Sequence, residues 1–167
     1  MLRNQHGFTL IEITVVLVMM AIISAYVIGR SLNTEQIDLA AQTDRIRNQI
    51  RYAQAAAMKQ YDETLKVWGM KCNTSLNQYW LFEGQNPDDV SRQITIPGEQ
   101  NLKISLADLG VDSMTEFTLF FDRFGRPYSA YTDEITNIPL GNPLTITISA
   151  GGQSRDITVT PETGLVR

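Results

Sequence analysis

The distribution of apolar residues divides the chain into two unlike parts. Residues 8–29 form an apolar run in which Glu12 is the only charged side chain, whereas every later stretch mixes polar and apolar residues. A helix needs about 20 apolar residues to cross the hydrocarbon core of a bilayer. The pattern therefore predicts a helix over residues 8–29 that is long enough to span a membrane.

The helical pattern continues beyond this run, over residues 30–61. From residue 34 to residue 61 the chain has neither Pro nor Gly, and apolar side chains recur near the helical spacing. The recurring apolar positions are Ile37, Ala40, Ala41, Ile46, Ile50, Ala53, Ala57, Met58 and Tyr61. The basic positions between them are Arg45, Arg47, Arg51 and Lys59. We interpret these basic residues as a solvated face rather than a nucleic-acid-binding strip.

Residues 62–167 show a different periodicity, typical of β-strands. Short runs of β-branched and aromatic residues alternate here with Gly and Pro turns. The predicted strands cover residues 65–68, 79–82, 93–96, 102–105, 117–121, 144–149 and 157–159. Gly151-Gly152 predicts a hairpin between the last two strands. The fold class predicted is α+β, with a long N-terminal helix whose second half packs on an antiparallel sheet of about six to eight strands.

The charge and the cysteine content limit the functions that the chain can have. The chain has 14 basic and 18 acidic residues, and this net charge of -4 argues against a nucleic-acid surface. The single cysteine, Cys72, excludes an intrachain disulfide and a cysteine-based metal cluster, and we expect it to be buried as a small apolar residue. The only histidine, His6, precedes the apolar run.

Three interpretations of the apolar run differ in how they treat Glu12. A secretory signal peptide would have a small-x-small cleavage site, but the only candidate, ending at Ala25, has the bulky Ile23 three positions before the cut. A plain anchor leaves Glu12 unexplained, because a carboxylate in a bilayer costs about 2.5 to 3.5 kcal/mol. If the chain is cut before Phe8, the new amino group of an adjacent subunit can neutralise Glu12. If the chain is not cut there, Glu12 is an acidic residue tolerated near a helix N-terminus, where the helix dipole favours it.

The six residues from Gly7 to Glu12, G-F-T-L-I-E, resemble the processing motif of type IV pilins and type II secretion pseudopilins. The resemblance implies a leader of residues 1–7, cleavage between Gly7 and Phe8, methylation of the Phe8 amine, and a role for Glu12 in assembly. It also implies partners, namely other pilins or pseudopilins, the prepilin peptidase and the inner-membrane assembly platform. The protein would then cross the inner membrane once, with its N-terminus in the cytoplasm and its β-rich domain in the periplasm, before it enters a filament.

The C-terminal part of the chain resembles the GspH/FimT-type group of minor pilins and pseudopilins. The residues concerned are 121–127, F-D-R-F-G-R-P, and 157–167, I-T-V-T-P-E-T-G-L-V-R, which can also be read simply as two β-turns. Gly29 stands where many major pilins have a proline. We therefore expect a structural minor subunit, with a major shaft pilin and a DNA- or surface-binding minor pilin as alternatives. Some DNA-binding members have Gly-Arg-x-Arg near the C-terminus, but this chain has Leu165 at the first arginine position, which argues against nucleic-acid binding.

We predict no enzymatic activity, metal site or cofactor. Loss of the leader would remove His6, and with it the only imidazole for a catalytic triad or a metal site. Asp122, Arg123, Asp133 and Glu134 are candidates for acid catalysis or calcium binding, but acidic residues in Gly/Pro turns usually cap those turns. The aromatic residues Trp68, Trp80, Tyr128 and Tyr131 are interpreted as core or strand residues rather than an adhesive surface.

Overall fold

The computed structural model describes residues 9–59 and 67–167, and for residues 28–37 it describes the backbone alone. The chain divides into two compact units, residues 1–37 and residues 38–167. The predictions for His6, Gly7, Phe8 and Tyr61 lie outside the described residues, as does the start of the strand predicted at 65–68.

A single long helix, α1, covers Leu10–Lys59 and so contributes to both units. In the first unit, the described side chains of α1 up to Val27 are all exposed. In the second unit α1 buries one face, formed by Leu39, Thr43, Ile46, Gln49, Ile50, Ala53 and Ala57. The predicted burial of Ile46, Ile50, Ala53 and Ala57 is confirmed, but Ala41 and Met58 are exposed. Thr43 and Gln49 were missed because both are polar.

Ten strands and two short 3-10 turns follow in the described part of the chain. The strands are β1 Val67–Asn73, β2 Gln78–Glu83, β3 Gln93–Ile94, β4 Lys103–Ser105, β5 Ser113–Met114, β6 Phe117–Asp122, β7 Pro127–Tyr131, β8 Asn137–Pro139, β9 Leu144–Ala150 and β10 Gln153–Val159. The 3-10 turns cover Val90–Arg92 and Ala107–Leu109. The structure thus confirms the α+β class.

The strands form two antiparallel sheets, whereas the sequence pattern predicted one sheet of about six to eight strands. The larger sheet has seven strands in the order β3-β2-β1-β6-β7-β8, with β4 also paired to β2, and the smaller has the order β10-β9-β5. Sequence periodicity missed β5, β7 and β8. Strand β5 has only two residues, and β7 starts at Pro127, which a strand tolerates at its first position.

One buried apolar cluster joins the second half of α1 to both sheets. It includes Ile46 and Ile50 of α1, Leu119 and Phe121 of β6, and Ile146 of β9. A second cluster lies on the seven-stranded sheet and consists of Val67, Trp80, Phe82, Phe120, Tyr128 and Tyr131. Trp80, Tyr128 and Tyr131 are therefore core residues, as predicted, and Trp68 is half-buried.

Cys72 lies on β1 and is buried in the main cluster, as predicted. Burial, and to a smaller extent the nearby carboxylate of Glu116, raises the pKa of Cys72 to about 12. Its thiol therefore stays protonated near neutral pH, and a protonated buried thiol is a poor nucleophile. Cys72 acts as a small apolar core residue.

Gly69 of β1 lies opposite Phe82 of β2, and the Phe82 ring occupies the space that a side chain would need. A Cβ atom at position 69 would lie 2.3 Å from the carbonyl oxygen of Leu119 and 2.4 Å from Phe82 Cζ. The carbonyl belongs to the neighbouring strand β6 and cannot move without breaking the sheet. Only glycine fits at this position.

We predict that Gly69→Ala destabilises the β-rich domain by about 1 to 3 kcal/mol, because overpacking shifts β6 or the Phe82 ring. The free energy of unfolding is measured by urea denaturation of the full chain in detergent, followed by tryptophan fluorescence. Gly141→Ala is the control, since a Cβ atom there meets nothing within 4 Å. Equal stability of the two variants would contradict the prediction.

Candidate functional site

The first part of α1 has an apolar surface that no described residue covers. An 18-residue window, Leu10–Val27, has a mean hydropathy of 2.4 and none of it is buried. By length and composition this segment can cross a membrane. An exposed apolar surface of this extent is rare in soluble monomers and marks a site of contact with lipid or with another protein.

The helix begins at a threonine cap that places Glu12 in the first turn. The backbone N–H of Glu12 donates to the Thr9 carbonyl oxygen at 3.0 Å and to the Thr9 hydroxyl at 3.3 Å. Thr9 is thus the N-cap, and Glu12 is the third helical residue, the spacing of a capping box. The Glu12 carboxylate lies near the positive end of the helix dipole and is exposed.

The two C-terminal segments singled out in the sequence meet at one residue of α1. Gln54 donates from Nε2 to the carbonyl oxygen of Gly125, in the turn between β6 and β7, at 2.9 Å. The same Nε2 donates to the carbonyl oxygen of Thr163, in the turn after β10, at 3.1 Å. One amide group therefore holds both turns against the helix. Sequence analysis missed Gln54, because nothing in its spacing distinguishes it from a solvent-exposed glutamine.

Both turns need glycine at the point where they meet. Gly125 and Gly164 have φ values of +74° and +63°, which disfavour residues with a side chain. A Cβ atom at position 164 would lie 2.5 Å from the Gly125 carbonyl oxygen and 2.7 Å from Gln54 Nε2. The glycines of the two segments thus allow the close approach that the Gln54 amide bridges.

A second residue of α1, Arg51, holds the segment that follows the turn at Thr163. Arg51 donates from Nη2 to the carbonyl oxygen of Val166 at 2.8 Å. On its other side, this segment pairs with β10, because Thr158 and Arg167 exchange backbone hydrogen bonds of 3.0 and 2.9 Å. The terminal residues are therefore part of the fold and connect the smaller sheet to α1.

The predicted solvated basic face is only partly correct. Arg51 and Lys59 are exposed, but Arg45 and Arg47 are half-buried. Arg45 forms an ion pair with Glu99 at 2.5 Å, and Arg47 pairs with Asp44 within α1. Pattern analysis cannot find the Arg45 pair because its partner lies 54 residues along the chain.

A buried polar network extends from the Arg45 pair into the larger sheet. Gln49 donates from Nε2 to Glu99 Oε1 at 2.9 Å, and the Tyr79 hydroxyl donates to Gln49 Oε1 at 2.9 Å. Burial raises the pKa of Tyr79 well above its ordinary value, so its hydroxyl remains a donor. The network gives the buried amide of Gln49 a partner at both its nitrogen and its oxygen, and it favours one packing of α1 against β2.

The acidic turn residues cap their own turns, as the sequence predicted. Asp122 accepts from the backbone N–H groups of Phe124 at 2.8 Å and Arg126 at 2.9 Å, and from the Tyr128 hydroxyl at 3.1 Å. Asp133 accepts from the N–H groups of Ile135 and Thr136. Within the described residues, no group of three His, Cys, Asp or Glu side chains is placed to hold a metal ion.

We predict that Gln54→Ala lowers the free energy of unfolding by about 1 to 3 kcal/mol, because the buried Gly125 carbonyl loses its donor. Urea denaturation of the full chain measures the change. Asn48→Ala is the control, since Asn48 is an exposed residue of the same helix. If both variants lost less than about 0.5 kcal/mol, the Gln54 bridge would not stabilise the fold.

A family model described as the prokaryotic N-terminal methylation motif matches residues 2–28. Comparison with curated proteins and with solved structures gives no match. The matched motif indicates a type IV pilin-like or pseudopilin precursor. Together with the exposed apolar helix, it indicates that the protein is anchored to a membrane through its N-terminal segment.

Proposed function

We propose that the chain is a minor structural subunit of a type IV pilus or a type II secretion pseudopilus. The observation that carries the proposal is the methylation motif at residues 2–28, within which the apolar helical segment Leu10–Val27 is exposed along its whole length. A surface of this kind is stable in a membrane and equally stable against the helices of other subunits. The protein therefore acts by assembly rather than by catalysis.

Processing at the leader prepares the subunit. The prepilin peptidase cuts between Gly7 and Phe8 and methylates the amine of Phe8. The apolar helical segment of residues 8–29 stays attached to the rest of the chain. The new amine then lies four positions before Glu12. In the filament, the Glu12 carboxylate of one subunit pairs with the Phe8 amine of another. Removing one partner of such a buried pair costs about 3 to 5 kcal/mol, so the pair selects the correct helix register.

Before assembly the subunit is held in the inner membrane. Arg3 and His6 precede the apolar segment, which places the N-terminus in the cytoplasm and residues 30–167 in the periplasm. The inner-membrane assembly platform then extracts the helix, which exchanges contacts with lipid for contacts with neighbouring helices. Because both environments are apolar, the exchange has a small net cost.

Three features support a minor subunit of the GspH/FimT type. The two C-terminal segments that resemble this group meet at Gln54, where their glycines touch. The chain has no cysteine pair. Gly29 stands at the position where many major pilins have a proline. The β-rich domain would face outward and determine which neighbours the subunit accepts.

We predict that Glu12→Gln reduces filament incorporation by at least about tenfold in the native host, because the Phe8 amine of the neighbouring subunit is left buried without a counter-charge. Incorporation is measured by immunoblotting sheared filaments, or a pseudopilus preparation, against the membrane fraction. The variant should be cut normally and should unfold at the same urea concentration as the wild type.

Asp108→Asn is the matched control, since it removes an exposed carboxylate from the β-rich domain. It should assemble like the wild type. Normal incorporation of Glu12→Gln would refute the pairing of Glu12 with the amine, whereas equal loss in both variants would show that net charge, and not Glu12, controls assembly.

A further inference from the structure

The turn between β6 and β7 presents an exposed aromatic ring close to two guanidinium groups. Phe124 is 62% exposed. Arg123 Cζ lies 4.9 Å and Arg126 Cζ lies 5.5 Å from the centre of its ring. We name these three residues the Phe124 crest. Exposed aromatic and arginine side chains are enriched among the residues that dominate the energy of protein interfaces.

Hydrogen bonds within the turn and from α1 hold the backbone of the crest in place without a partner. The Asp122 carboxylate fixes the backbone N–H groups of Phe124 and Arg126, and the Gly125 N–H donates to the Asp122 carbonyl oxygen at 2.9 Å. From the other side, Gln54 of α1 holds the Gly125 carbonyl. A preordered surface loses little conformational entropy on binding, which favours affinity.

A cleft of about 240 Å³ opens beside the crest. Its walls include the crest itself, Tyr128, Tyr131 and Asp122, whose carboxylate already accepts the hydrogen bonds of the turn. The two tyrosine rings meet edge to face at 5.3 Å and are part of the core. Sites for small molecules usually measure about 300 to 1,000 Å³. This cleft is smaller, and it suits one or two side chains of a larger partner.

Two exposed isoleucines follow, in the sequence, two of the residues that line the cleft. The lining residues are Glu134 and Asn137. Their sequence neighbours Ile135 and Ile138 are 94% and 60% exposed. Large aliphatic side chains at this exposure add apolar area to the surface of the β-rich domain, which a protein partner can cover and a small ion cannot.

We propose that the Phe124 crest and its cleft dock a protein partner through a segment that carries an apolar side chain next to carboxylates. The carboxylates pair with the guanidinium groups of Arg123 and Arg126, which match carboxylate geometry. The apolar side chain lies against the exposed Phe124 ring. This docking uses only the β-rich domain and does not depend on the proposed function in a filament.

A nucleic acid fits this surface less well than an acidic protein segment. A polyanion binds through many phosphate contacts, whereas the crest supplies two guanidinium groups on a chain of net charge -4. A protein segment brings only a few carboxylates, and its apolar side chain gains from the Phe124 ring and the cleft. The two partner classes are separated by direct competition.

The test measures binding of a fluorescein-labelled peptide, with the central sequence Asp-Phe-Glu, to the full chain in nanodiscs by fluorescence polarisation. Empty nanodiscs give the background. A second peptide with the sequence Asn-Phe-Gln keeps the shape and removes the charges. We expect the acidic peptide to bind at least about tenfold more tightly than the amide peptide, the scale of a single interface hot spot.

Matched variants locate the site. Phe124→Ala and the double variant Arg123→Gln/Arg126→Gln should each weaken the acidic peptide at least about tenfold. Val90→Ala and Arg92→Gln remove a similarly exposed apolar and basic side chain elsewhere and should leave binding unchanged. Because the substituted side chains lie at the surface, all variants should keep the thermal unfolding midpoint of the wild type.

Four results would overturn the proposal. They are no binding of the acidic peptide up to about 1 mM; equal binding of the two peptides; equal loss in the control variants; and tighter binding of a 12-nucleotide oligothymidylate that displaces the acidic peptide. The last result would assign the crest to nucleic acid. None of these outcomes depends on cleavage at Gly7 or on Glu12, so failure here leaves the proposed function standing.

Discussion

A single carboxylate at the start of an exposed apolar helix is the constraint on which the account depends. The surface from Leu10 to Val27 is unstable in water, and the Glu12 carboxylate is unstable in lipid unless it is neutralised. A passive membrane anchor would satisfy the first requirement and violate the second. A helix that leaves the membrane to join other helices satisfies both, if each subunit supplies the cation that its neighbour needs. The methylation motif at residues 2–28 is consistent with this solution, because the cleavage that we propose within it would create such a cation.

The second half of α1 is bound to the β-rich domain by polar contacts at successive positions. Gln49 donates a hydrogen bond to Glu99, and Arg51 donates one to the Val166 carbonyl oxygen. Gln54 donates hydrogen bonds to the carbonyl oxygens of the two turns, at Gly125 and Thr163. These contacts flank an apolar core in which Ile46, Ile50 and Ala53 are fully buried. The turn that Gln54 holds is the same turn that presents the Phe124 crest. The helix therefore orders the surface that we propose for partner docking.

Features that depend on neighbouring residues were predicted from the sequence, whereas features that depend on contacts between distant residues were not. The leader motif and the apolar helix are encoded by neighbouring residues, and helical spacing identified Ile46, Ile50, Ala53 and Ala57 as buried. Gln49 and Gln54 were missed because a polar side chain has no periodic signal when its partner lies far along the chain, 50 residues for the Gln49 contact with Glu99 and 71 for the Gln54 contact with Gly125. The second sheet was missed because β5 has only two residues and is defined by its pairing with β9.

The central claim is that this chain is a processed filament subunit, and its mature N-terminus tests that claim most directly. Intact mass and N-terminal sequencing should be performed on protein from the native host, comparing the membrane fraction with sheared surface filaments. The account predicts a chain that starts at N-methylated Phe8, present in few copies per filament, as a minor subunit would be. A chain that starts at Met1 or directly after Ala25 would contradict it, because the protein would then be an ordinary anchored or secreted domain.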